Sequence, residues 1–215
     1  MERGSRRPDS PPLAQATVRA AVATALDLLP GLPLIAGGKS FGGRMTSQAQ
    51  ANSPLQGVCG LAFLGFPLHP AGSPSQIRAE HLFKIKIPLL FLQGTRDTLD
   101  SLDQLQPVCK KLGGRATLKL FDDADHSFHV QARAGRKDAQ VLEDALDALR
   151  DLRSPVSSFS LPPTKSQQRK TLLRAKAGTA ASSLKKSTIS WSRYWAGKQW
   201  LIPCLYTTST SILFY

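Results

Sequence analysis

The chain has 215 residues, of which 41% are hydrophobic, so it is long enough for one domain with a substantial core. Its net charge of +13 is uneven, because residues 1–152 contain 18 basic and 15 acidic residues, whereas residues 153–215 contain ten basic residues and no acidic one. Three widely spaced cysteines without a C-x-x-C motif argue against a disulfide scaffold and a zinc ribbon.

The first elements are a polar segment and a helix. Residues 1–12 are rich in proline and charge, lack the apolar segment of a signal peptide, and predict a flexible lead-in. From Leu13 to Leu29 apolar residues recur every three to four positions, which predicts an amphipathic helix. The only late apolar stretch, 200–215, contains Pro203 and is short for a membrane span, so we expect no membrane contact. The few, widely spaced cysteines favour a reducing, cytoplasmic setting.

A glycine-flanked serine follows the next apolar run. Gly38-x-Ser40-x-Gly42 is the nucleophile-elbow pattern, in which glycines allow a tight strand-to-helix turn that exposes the serine hydroxyl above the sheet. The same turn directs the backbone N–H of the next residue, Phe41, toward a developing oxyanion. Because glycine and serine are also common in ordinary loops, the motif alone is weak evidence for catalysis.

Two later strands each precede a residue that such a serine would need. The apolar run 87–92 precedes Asp97, and the run 116–121 precedes His126. Ser40, Asp97 and His126 therefore occur in the chain order of an α/β-hydrolase catalytic triad, each in a loop after a strand. The three weak signals together predict a catalytic serine.

Alternatives exist for two of these positions. Asp97 is preferred to Asp100 because it comes just after Gly94 at a strand end. His126 is preferred to His129 because His129 lies further along the loop that follows its strand. The neighbouring carboxylates at 122–125 are not expected to hold a metal, because acids in a strand-end loop are usually solvated and no partner cluster exists elsewhere in the sequence. We expect no cofactor.

The remaining segments complete an alternating pattern. The continuous apolar run 57–66 predicts a parallel strand that is buried on both faces, and helices are expected at 78–83, 102–112 and 137–152. Strands that alternate with helices predict a three-layer α/β fold with a parallel sheet and a site at the carboxyl ends of its strands. Beyond residue 152 no period is sustained, so we expect a basic, low-complexity, disordered tail over 153–215.

These motifs resemble the α/β-hydrolase superfamily, in particular small proteins related to dienelactone hydrolase. That branch includes bacterial α/β-hydrolase family proteins, a testis-expressed protein and a subunit of the non-specific-lethal complex. The resemblance covers about residues 12–152 and rests on four segments, at 36–45, 65–70, 93–97 and 124–128. It implies a serine hydrolase for ester-type small molecules, with Ser40 as nucleophile, His126 as base and Asp97 as acid. The further candidates for the pocket are Lys39, Arg44 and His69.

The resemblance also implies that part of the family's fold is missing from domain 13–152. Family members have several strands before the first helix seen here, and an early glycine-rich loop that supplies a second oxyanion donor. We therefore expect a partial α/β-hydrolase fold, whose elbow strand has an unpaired edge open to a protein partner or to self-association. The alternative function is a truncated, non-catalytic interaction or scaffold subunit. Nucleic-acid binding by the basic tail is a weaker hypothesis.

Overall fold

A computed structural model describes residues 8–69, 77–98, 102–152, 205–207 and 210–214. The helices are α1 (Pro11–Leu28), α2 (Phe41–Asn52), α3 (Leu102–Leu112) and α4 (Asp138–Asp151). The strands are β1 (Leu34–Lys39), β2 (Val58–Leu64), β3 (Leu89–Gly94), β4 (Ala116–Phe121), β5 (Leu205–Thr207) and β6 (Thr210–Phe214). Short 3-10 helices lie at Ile77–Lys84, Gly113–Arg115 and Ala132–Ala134.

The expected parallel α/β sheet is confirmed. Strands β1 to β4 pair in parallel, and the sheet has the order β4-β3-β2-β1-β6-β5. The predicted helices and strands are present with small shifts at their ends, and the expected helix at 78–83 is of the 3-10 type. Helix α1 begins inside the predicted lead-in at Pro11, since the fixed φ of proline and its missing N–H suit the first turn of a helix.

Side chains alternate along the strands and fill two cores, one on each face of the sheet. Leu34, Leu61 and Phe91 belong to one core, which also contains buried residues from α1 and α3. The intervening strand residues, such as Ile35 and Ala62, belong to the other core, where α4 packs. This pattern follows from the period of two in a strand, and it produces the three layers that the sequence predicts.

The edge of β1 that we expected to be unpaired is occupied. Strand β6 pairs with β1 in parallel, from Leu34 opposite Ser211 to Gly37 opposite Phe214, and β5 pairs with β6 in antiparallel orientation. The expectation of an open edge at β1 is therefore wrong, because the C-terminal strand provides the backbone partners that a strand requires. Of the predicted disordered tail, the structure describes only these two strands, and the other residues of 153–215 lie outside the described residues.

Among the described residues, no helix is both long enough and apolar enough to cross a membrane. The cytoplasmic location expected from the sequence stays a prediction.

Deletion of residues 205–215 tests the role of the C-terminal strands. The deletion removes β5 and β6 and leaves the backbone groups at the edge of β1 without partners. We expect the melting temperature to fall by about 5 °C or more and the monomer to aggregate. Thermal denaturation and light scattering measure both effects, with an equally long deletion at 180–190 as the control. Equal melting temperatures for the two deletions would contradict a structural role for β6.

Candidate active site

Ser40 occupies a strained turn between β1 and α2. Its backbone has φ 51° and ψ −117°, a region that residues with a side chain rarely adopt. The turn is held because the Ser40 N–H donates a 3.0 Å hydrogen bond to the carbonyl of Leu64 at the end of β2. Phe41 is the first residue of α2, so its N–H has no acceptor within the helix. The predicted elbow therefore has the geometry of a strand-to-helix nucleophile turn.

Asp97 follows β3 and carries a fully buried carboxylate. Its Oδ2 accepts a 2.7 Å hydrogen bond from Nε2 of Gln93, a residue of β3 with no exposed surface. The same oxygen lies 2.7 Å from Nδ1 of His126. Because a carboxylate can only accept, the neutral imidazole must carry its proton on Nδ1, which leaves the Nε2 lone pair free to take a proton.

The imidazole of His126 lies against Gly65, the residue after β2. A Cβ atom at this position would lie 2.9 Å from both Cε1 and Nδ1 of His126, so the imidazole packs directly on the Gly65 backbone. Gly65 follows Leu64, whose carbonyl holds the N–H of Ser40. Ser40, Asp97 and His126 thus lie at the carboxyl ends of neighbouring strands, around the end of β2. No hydrogen bond joins Ser40 Oγ to His126 in this structure.

The loop that carries His126 is ordered by its own polar groups. Oδ1 of Asp125 accepts hydrogen bonds from the N–H groups of Ser127 and His129, at 2.7 and 3.0 Å. Lys39, a predicted pocket residue, donates a 3.1 Å hydrogen bond from Nζ to Ser127 Oγ. Burial lowers the pKa of Lys39, while the charge of Asp125 opposes this shift. Lys39 therefore links the elbow to the histidine loop.

The alternative histidine has a different partner. Nδ1 of His129 lies 2.7 Å from Oδ2 of Asp138, and about half of each side chain is exposed. The pKa of Asp138 is lowered by the hydrogen bond from the Val130 N–H and by the contact with His129. His129 therefore connects the loop to the start of α4. The alternative acid, Asp100, lies outside the described residues.

The other two predicted pocket residues lie in different settings. Arg44, on the first turn of α2, is partly buried, and its guanidinium lies 5.5 Å from the centre of the Phe41 ring. His69 follows β2 and is only 7% exposed. Arg44 is thus beside the elbow, whereas the contribution of His69 to a pocket stays a prediction.

Sequence analysis did not single out Gln93 and Gly65 as functional. Gln93 is a polar residue inside an apolar strand, and a buried amide requires a hydrogen-bond partner. This pattern could have indicated that Gln93 supports another polar group. The distance of four residues from Gln93 to Asp97 could have suggested that partner. Gly65 follows β2, and no local sequence pattern predicts that an imidazole packs on its backbone.

A separate groove of about 530 Å³ lies between β4 and α4. Its lining includes Lys119, Asp147 and Leu152, and it contains none of the three predicted triad residues. Asp147 pairs with Arg150 on the same helix, so the charge it brings is already compensated. The residues proposed for catalysis therefore lie outside this groove.

Comparisons with known proteins agree with the α/β fold. A family model described as an alpha/beta hydrolase domain matches residues 1–153. An α/β serine hydrolase homologue from Coxiella burnetii is 18% identical, with a TM-score of 0.52 over 68% of this chain and 62% of that chain. An α/β serine hydrolase without lid from Xanthomonas campestris is 22% identical, with a TM-score of 0.50 over 68% of this chain and 60% of that chain. The chain thus spans less than two thirds of the length of either protein, and at these identities the likeness concerns the fold alone.

Replacement of Gln93 by methionine tests whether its amide supports Asp97. The variant removes a donor from a fully buried carboxylate, so we expect the free energy of unfolding to fall by about 1–3 kcal/mol. Urea denaturation measures the change. Gln106→Met is the matched control, because Gln106 is exposed on α3. Equal stability of the two variants would show that the Gln93 amide contributes nothing.

Proposed function

The chain belongs to the alpha/beta hydrolase domain family, and we propose that it is a serine hydrolase that acts on an ester or a related carbonyl compound. The observation that carries the proposal is the 2.7 Å contact between His126 Nδ1 and the buried carboxylate of Asp97, next to the strained turn at Ser40. A histidine fixed in this tautomer presents Nε2 as a base.

The proposed reaction has two halves. Ser40 Oγ attacks the carbonyl carbon while its proton passes to His126 Nε2, and the leaving group then takes that proton as its bond to carbon breaks. Water then attacks the acyl-serine while His126 takes its proton; the bond between the carbonyl carbon and Ser40 Oγ breaks, Oγ regains the proton from His126, and the acid is released. Asp97 orients the imidazole and stabilises its protonated form, and remains a carboxylate throughout.

The negative oxygen of the tetrahedral intermediate requires donors. The backbone N–H of Phe41 is one candidate, and the N-terminus of α2 adds a favourable dipole at the same position. Removal of a single donor from such a site costs about 10²–10³ in rate, so the number of donors determines how active the chain can be.

A non-catalytic, hydrolase-like interaction subunit is the second candidate function. One observation favours it, namely that Ser40 Oγ and His126 form no hydrogen bond in this structure. Catalytic hydrogen bonds often form only when substrate binds, so the lack of a Ser40–His126 hydrogen bond does not outweigh the Asp97–His126 contact. The two candidates differ in whether Ser40 reacts.

Covalent labelling with a fluorophosphonate probe tests the reactivity of Ser40. We expect the purified chain to be labelled, because a serine that loses its proton to His126 attacks phosphorus, and we expect Ser40→Ala to be unlabelled. The labelling rate of His126→Ala should be lower by a factor of about 10² or more. Mass spectrometry of the digested protein locates the adduct. A folded chain that the probe does not label would favour the non-catalytic candidate.

A substitution at Gly65 tests the packing of His126 without removing a reactive group. Gly65→Ala places a methyl group against the imidazole, so we expect the labelling rate to fall about 10-fold or more, as for other small misplacements. Gly113→Ala is the matched control, because Gly113 has the same φ of +64° and no atom within 4 Å of the added Cβ. Both substitutions therefore place a side chain at the same positive φ. Equal labelling rates would show that the position of His126 does not limit the reaction.

A further inference from the structure

Lys39 is the last residue of β1, and its side chain contacts the loop that carries His126. Side chains along β1 alternate between the two faces of the sheet, so Lys39 extends from the same face as Ile35, where α4 packs. From there its Nζ donates the 3.1 Å hydrogen bond to Ser127 Oγ. The residue before the proposed nucleophile thus holds the residue after the proposed base.

The loop from Ala124 to Val130, the histidine loop, is a tight turn whose ends are joined by a β-bridge. Within it Phe128 has φ 63°, in the left-handed region that residues with a side chain rarely adopt. Such a conformation persists only where the surrounding contacts determine it. One of these contacts is the edge-to-face packing of the Phe128 ring on Phe121 of β4, with the ring centres 5.5 Å apart. This packing anchors the later part of the loop, two residues beyond His126.

Ser127 anchors the middle of the histidine loop from two sides. Its N–H donates a 2.7 Å hydrogen bond to Oδ1 of Asp125, which fixes the shape of the turn. Its Oγ accepts the hydrogen bond from Lys39, which fixes the turn relative to β1. Because Cα atoms joined by a peptide bond are about 3.8 Å apart, a shift of Ser127 also shifts the backbone of His126.

Electrostatic attraction supports this contact. Burial lowers the pKa of Lys39, whereas the negative charges of Asp125 and Asp97 act in the opposite direction and favour the ammonium form. A hydrogen bond from an ammonium group is stronger than one between neutral partners. The hydrogen bond to Ser127 is therefore well suited to hold the loop while a proton moves to and from its histidine.

We propose that Lys39 is a positioning residue, which through its hydrogen bond to Ser127 holds the imidazole of His126 where it can take the proton of Ser40. In this role Lys39 acts on the base and does not bind the substrate. Its loss should therefore slow the chemical step and leave KM unchanged. The inference rests on the proposed hydrolase function for the proton transfer and on the observed hydrogen bond for the positioning.

The first test measures hydrolysis of 4-nitrophenyl acetate by single and double variants. Lys39→Met removes the donor and Ser127→Ala removes the acceptor, so we expect each to lower kcat about 10-fold or more. The double variant should be no slower than the slower single variant, because both substitutions break the same hydrogen bond. Ser127→Thr keeps a hydroxyl group and should retain most of kcat. Lys119→Met removes an exposed cation of β4 and is the control.

Three outcomes of this test would overturn the inference while hydrolysis itself is retained. Effects of Lys39→Met and Ser127→Ala that multiply in the double variant would show that the two residues act independently. An unchanged kcat in Ser127→Ala would show that the hydrogen bond does not limit the reaction. A higher KM with an unchanged kcat in Lys39→Met would place Lys39 in contact with the substrate.

The second test uses amide hydrogen exchange and needs no turnover. In Lys39→Met and Ser127→Ala, the N–H groups that bond to Asp125, those of residue 127 and His129, should exchange about 10-fold faster than in the unsubstituted chain and in Lys119→Met. The amides of β3 report global unfolding and should not change. Unchanged exchange in the histidine loop overturns the inference. If the loop responds but no ester is hydrolysed and no probe reacts, the hydrolase function is refuted and the anchoring of the loop by Lys39 stands.

Discussion

The contact between the buried carboxylate of Asp97 and the imidazole of His126 is the constraint on which the candidate site depends. An ionised carboxylate without exposed surface is unfavourable unless donors compensate for the lost water, and Gln93 and His126 supply them. The contact also requires space, which Gly65 provides because any side chain there would touch the imidazole. A single hydrogen-bonded contact thus constrains the residue types at positions 65, 93 and 126.

The parallel sheet makes this contact possible. Neighbouring strands that run in the same direction bring their carboxyl ends to one edge, so residues far apart in the sequence meet there. Ser40, Asp97 and His126 follow β1, β3 and β4, and the end of β2 lies between the serine and the other two. Lys39 directly precedes Ser40 and Arg44 lies one helical turn after it, so the elbow also fixes the positions of two basic residues.

Much of this arrangement could be predicted from the sequence, because it follows from local sequence patterns. Apolar periodicity predicts the helices and the buried strands, and the elbow motif predicts Ser40. The partner of Gln93 and the packing of His126 on Gly65 depend on distances between separate loops, which no local pattern encodes. The pairing of β6 with β1 was missed for the same reason, since a five-residue strand after a long stretch without periodicity carries no signal for its partner.

A crystal structure of the chain after reaction with a diisopropyl fluorophosphonate reagent tests the central claim most directly, because it shows the bond that forms and the groups around it. We expect phosphorus on Ser40 Oγ, the phosphoryl oxygen about 3 Å from the backbone N of Phe41, and His126 still in contact with Asp97. Phosphorus on another residue, or a phosphoryl oxygen that points away from the Phe41 N–H, would contradict the proposed site.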